Sequence, residues 1–177
     1  MAIYFPNSEL GEVCGETWRI TSQFSGDNNL IGGNSMTNWE RSDDVYGGGN
    51  MSSSPVLSYS TSGQFSFNYT GYYLVNFQHY AYYSDNNRYA EMTLMVSWNN
   101  GANWDTHAYS TSSVSPNTSA NYSMTAHGTS IVSGTSAARL RFNMQVENNS
   151  TYTYGETNGT ATGFSVVGKR FSRLYAL

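Results

Sequence analysis

The groups able to do acid–base, nucleophilic or metal chemistry in this sequence are few: three histidines, one cysteine and twelve acidic residues among 177. His79, His107 and His127 fall on separate segments. No two stand at the His-x-His or His-x₃-His spacing that brings two imidazoles to one metal. His79 lies within an aromatic run and reads as a hydrogen-bonded interior or interface residue. Asp43 and Asp44 are adjacent, so on a strand their carboxylates point to opposite faces and cannot work as a pair. On a loop they would need several more oxygen ligands to hold Ca²⁺, and no Gly-punctuated Asp run supplies them. The expectation is a structural loop network of Trp39, Arg41, Asp43 and Asp44, with Arg41 paired to one carboxylate and the other capping a turn. The sequence has no Gly-x-Ser-x-Gly nucleophile elbow and no phosphate-cradling glycine loop opening a helix. Cys14 is the single cysteine, which excludes an intramolecular disulfide, and a thiol without an activating neighbour is inert. No catalytic residue, metal or cofactor is expected, and the chain reads as a non-enzyme.

The sharpest local pattern is Ser97-Trp-Asn-Asn-Gly-Ala-Asn-Trp104. It resembles the Asp-box hairpin of sialidases and other β-proteins, with Ser97, Asn99, Gly101 and Trp104 at the matching positions and Asn99 where Asp is usual. That resemblance implies a tight structural turn and no sialidase activity: Asn-Asn-Gly supplies positive φ angles and Trp104 packs back over the turn. Trp39, Trp98, Trp104 and the 15 tyrosines offer faces on which sugars could stack, against the plainer role of core and interface packing. Lys169, Arg170 and Arg173 form a small basic cluster at a strand end, read as solvated. The Asn-x-Ser/Thr triplets are what so much Asn, Ser and Thr produces by chance.

The elements that must carry these residues are strands. Charged residues are only 11% of the chain, aromatics are 15%, and there are 17 glycines. Disorder needs high charge and few aromatics, so this composition describes short strands joined by polar turns. The net charge of -4 provides no field for nucleic acid or an anionic membrane, and no apolar run is long enough to span a bilayer. Leu140, Phe142, Met144 and Val146 alternate with polar residues, as do Ala90, Met92, Leu94, Val96 and Trp98. Further strands are expected over Thr17–Phe24, Val56–Tyr59, Gln64–Asn68, Thr106–Ser110, Tyr122–Val132 and Ala161–Arg170, which together predict a sandwich or jelly roll. Between Gly71 and Tyr82 both faces are apolar: Tyr73, Val75 and Phe77 on one, Tyr72, Leu74, Tyr80 and Tyr82 on the other. With no helix to form a third layer, the second set is expected at a subunit interface. Residues 1–16 fit the strand pattern least and are expected to form an extended arm, with Ile3, Tyr4, Phe5 and Leu10 as its anchoring side chains. Residues 17–177 then make one domain, with Gly26–Gly49 as a long glycine-rich loop.

Three stretches read together resemble the start of C1q/TNF-like jelly-roll domains of phage and other viral proteins: Trp39-Glu-Arg-Ser-Asp-Asp44, Gly49-Asn-Met-Ser52 and Gly63-Gln-Phe-Ser-Phe-Asn-Tyr-Thr-Gly-Tyr-Tyr-Leu-Val75. Thr162-Gly-Phe-Ser-Val-Val167 is similar to the closing strand of that fold, so the resemblance covers residues 39–170. It implies an all-β jelly roll of roughly ten strands, in close homotrimers, used for adhesion or assembly. The expected protein is a phage virion component: a trimeric capsid decoration or knob protein held by its N-terminal arm. Its expected partners are its own copies and other virion proteins, either the major capsid protein or tail components. The alternative is a tail-fibre tip that recognises a receptor or a host surface glycan. The start of the sequence lacks a signal-peptide pattern, so assembly in the host cytoplasm is expected.

Overall fold

The alternation of apolar and polar residues decides the backbone nearly everywhere. The computed structural model describes residues 12–22, 24–25, 34–42, 55–83, 89–113, 122–147, 152–153 and 162–170. Among the described residues all regular structure is strand: β1 (Glu12–Ile20), β2 (Phe24–Ser25), β3 (Asn34–Ser35), β4 (Trp39–Arg41), β5 (Leu57–Ser60), β6 (Gln64–Phe67), β7 (Gly71–Tyr83), β8 (Tyr89–Ser97), β9 (Asp105–Ser113), β10 (Tyr122–Gly134), β11 (Arg139–Val146), β12 (Tyr152–Thr153) and β13 (Gly163–Arg170). Ten of these run three residues or longer, the jelly-roll number expected from the sequence. No helix is long and apolar enough to cross a membrane.

The strands form two antiparallel sheets. In the seven-stranded sheet β10, β7, β13, β1 and β4 lie side by side, and β12 and β2 extend it beyond the start of β13. The six-stranded sheet runs β5, β6, β11, β8, β9, with β3 also on β11. Their facing sides bury Ile20, Tyr73, Val75 and Val166 from one sheet against Phe65, Leu94, Leu140 and Phe142 from the other. At the centre Trp18, Trp39, Phe65, Phe142 and Phe164 meet at tilted and edge-to-face angles, with Phe142 and Phe164 centroids 4.5 Å apart. Such geometry sets positive ring edges against negative faces and adds to the burial of large apolar areas.

Two expectations need correcting. β1 begins at Glu12 and pairs with β13 from its first residue, so residues 12–16, expected in the arm, belong to the sheet, and residues 1–11 lie outside the described residues. Ile3, Tyr4, Phe5 and Leu10 lie outside the described residues. The stretch expected as a glycine-rich loop contains β3 and β4, and Trp39 is a core residue whose indole nitrogen donates to the Met36 carbonyl at 2.9 Å. Arg41 pairs with Glu16, since β4 lies beside β1 and brings the two side chains together. Asp43 and Asp44 lie outside the described residues.

Candidate functional site

The outer face of the seven-stranded sheet is the part of the surface that the fold does not explain by itself. Strand pairing arranges its side chains in cross-strand rows, one row every two residues. The first row is Ser133, Tyr72, Lys169 and Val13, and the second is Ile131, Leu74, Val167 and Gly15. Then the chemistry changes. The third row is Thr129, Asn76, Ser165 and Thr17, and the fourth is His127, Gln78, Gly163 and Arg19.

The first two rows leave Val13 56%, Tyr72 61%, Leu74 41%, Ile131 67% and Val167 37% exposed. These are five of the seven large hydrophobic side chains exposed among the described residues, and they sit on adjacent positions of four strands. A contiguous apolar patch of this kind marks a contact surface. Tyr72 and Leu74, expected from the sequence at a subunit interface, are both exposed in this patch. Tyr80 shares their face and is half-buried, β7 also carries Tyr82, and Val13, Ile131 and Val167 were missed. A signal for two of them was present: Ile131-Val132 and Val166-Val167 are consecutive aliphatics within strands, so one of each pair must face outward.

The polar rows border a cup of about 450 Å³ lined by Thr17, Asn76, Gln78, His127, Thr129 and Ser165, with the core residues Trp18, Phe77 and Phe164 also at its edge. Gly163 stands in its wall, where a Cβ would lie 2.5 Å from the Trp18 carbonyl oxygen. The close approach of β1 therefore requires glycine, and the missing side chain deepens the depression. Thr129 Oγ1 donates to Asn76 Oδ1 at 2.6 Å. Arg19 is engaged away from the cup, with Nε 2.8 Å from Glu40 Oε1.

Glu16 and His79 are among the polar side chains buried inside the sandwich. Glu16 Oε1 accepts from the Trp18 indole at 2.9 Å and the Leu57 amide at 2.8 Å, while Oε2 accepts from the Val56 amide at 2.9 Å. Arg41 Nε lies 3.1 Å from Oε2, an ion pair whose alignment falls short of a hydrogen bond. His79, also fully buried, has Nδ1 3.1 Å from Ser110 Oγ and Nε2 3.1 Å from Ser112 Oγ, joining β7 to β9. Burial pushes its pKa down to about 4, offset in part by the Ala90 carbonyl. This is the interior role read from the sequence. Cys14 is buried as well, its Sγ 3.7 Å from the Gly168 carbonyl oxygen.

The Ser97–Trp104 hairpin has the expected form. Ser97 Oγ donates to Asn99 Oδ1 at 2.9 Å and accepts from the Gly101 amide at 2.8 Å, and Asn99 Oδ1 accepts from the Asn103 amide at 2.9 Å. Asn100 and Gly101 take φ of 59° and 87°. Trp104 packs beside Gly101 and carries the Arg141 guanidinium 4.3 Å above its ring. No three acidic, histidine or cysteine side chains cluster to hold a metal among the described residues.

No protein-family model and no curated protein matches the sequence. Solved structures do match. Eiger TNF from S. frugiperda superposes with a TM-score of 0.64 at 13% identity, covering 93% of this chain and 97% of that one. Murine APRIL gives 0.58 at 9% identity, covering 89% and 99%. At such identities the likeness establishes the fold: the chain is a TNF-like jelly roll.

Proposed function

We propose that this chain is a structural protein of a phage virion, a capsid decoration or knob protein that assembles as a homotrimer through the outer face of its seven-stranded sheet. The observation that carries the assembly is the pair of apolar rows, Val13, Tyr72, Leu74, Ile131 and Val167, exposed together on one sheet face. The virion setting is supported by the resemblance of residues 39–170 to C1q/TNF-like viral domains. A binding or assembly role without catalysis fits the buried, fully engaged Glu16 and His79.

Native mass measurement should find three times the 19.6 kDa chain mass at micromolar concentration. Leu74→Asp should yield folded monomers, because an isolated carboxylate cannot be desolvated against apolar partners without a cost of several kcal/mol. A monomeric wild type would sink the assembly. Removing residues 1–11, which precede β1, should leave the trimer intact and abolish attachment to the particle. Loss of host-cell binding with capsid attachment retained would instead support the second reading, an adhesion module at a tail-fibre tip, which the polar cup favours.

A further inference from the structure

The cup and the apolar rows share a sheet face but have opposite chemistry. A contact surface needs apolar side chains standing proud, as Tyr72 and Ile131 do. A ligand site needs a concavity with a few fixed polar groups, and its volume commonly falls at roughly 300–1,000 Å³. The cup meets that description within one protomer, at about 450 Å³. All its walls are held on strands β1, β7, β10 and β13, so the polar groups are fixed before any ligand arrives.

Among the described residues the lining contains no Lys, Arg, Asp or Glu to neutralise a phosphate, a carboxylate or an amine. It offers hydroxyls, amides and one imidazole. The Asn76 carbonyl oxygen is taken by Thr129, which turns its NH₂ group into a donor for something else. The Ser165 hydroxyl and the exposed His127 ring have no hydrogen-bond partner among the described residues. A ligand that satisfies them must be neutral, must both donate and accept at closely spaced positions, and must tolerate the carbon surface between these polar groups. A pyranose ring has that combination: hydroxyls around its edge and C–H groups on its faces.

We infer that this cup binds a neutral hexose unit of a glycan, with Asn76, Ser165 and His127 as the contacting side chains. The inference rests on the adhesion reading for its biological use. It does not need the trimer, because every wall belongs to one chain.

Saturation-transfer NMR on the full chain, with methyl glycosides of glucose, galactose, mannose and N-acetylglucosamine at millimolar concentration, tests it directly. At least one should bind saturably, and glucuronate should bind more weakly than the best of them. Asn76→Ala and Ser165→Val should each reduce affinity by about 3- to 10-fold, the loss of one neutral hydrogen bond. The Leu74→Asp chain, or wild type diluted to monomers, should bind as the assembled protein does. Absence of saturable binding to all four glycosides overturns the inference, as does wild-type affinity in a chain carrying both Asn76→Ala and Ser165→Val. Binding that vanishes when the assembly dissociates also overturns it, by showing that one protomer does not complete the site. If whole-cell adhesion survives while no glycoside binds, the hexose site falls and the adhesion reading stands.

Discussion

At the residue scale the most exacting side chain is Glu16. A carboxylate inside an aromatic core is tolerated because three N–H donors and the Arg41 guanidinium converge on it. Removing it strands two backbone amides and an indole where water does not reach, and leaves the half-buried Arg41 without this partner. Glu16→Ala is therefore expected to cost about 3–5 kcal/mol in a urea-unfolding experiment. Glu16→Gln should cost less, since an amide oxygen still accepts. A loss below about 1 kcal/mol for the alanine variant would mean that water replaces the carboxylate.

His79 makes a prediction of a different kind. Its folded pKa is lowered to about 4, mainly by burial, while an unfolded histidine titrates near 6.5. Below pH 6.5 the unfolded chain therefore binds the proton that the folded chain refuses, and stability falls as pH falls. The loss begins near 6.5, is complete near 4 and amounts to about 3 kcal/mol. Above 6.5 the term is constant. Unfolding curves of wild type and His79→Gln across this range should converge as pH falls, because the variant lacks the titration. Parallel pH profiles for the two proteins would refute the assignment.

At the element scale the Ser97–Trp104 hairpin is a self-contained unit. Ser97 is fully buried and its hydroxyl organises both ends of the turn, so Ser97→Ala should destabilise by about 1–3 kcal/mol in thermal or urea unfolding. The hairpin was legible in the sequence because its hydrogen bonds join residues two to four apart. The long strands were legible for a related reason: Leu140, Phe142, Met144 and Val146 declare their face by alternation alone. Trp39 was not. A three-residue strand amid glycine and asparagine has no periodicity to display, and only its neighbours β1 and the core make it one. Glu16 was illegible too, since its partners at Val56 and Leu57 are 40 and 41 residues away. The cup is a property of four strands in register, and no single segment carries its pattern.

At the scale of the whole molecule, one sheet face carries both an apolar half and a polar half, and the change falls between the row of Leu74 and the row of Asn76. With the proposed assembly on one half and the proposed hexose site on the other, substitutions in the two halves should separate in their effects. The arrangement of the sheet margins has its own consequence. Among the described residues β9 pairs only with β8 and β10 only with β7, yet these two long margins lie against each other, and His107 Nε2 is 3.0 Å from the Ile131 carbonyl oxygen across the gap. The opposite margins, β4 and β5, are three and four residues long. Unpaired backbone on a long strand invites another chain to add to the sheet, and short or mutually covered margins do not. Edge-to-edge addition of a second copy is thus disfavoured, and the proposed assembly contact is one between side chains.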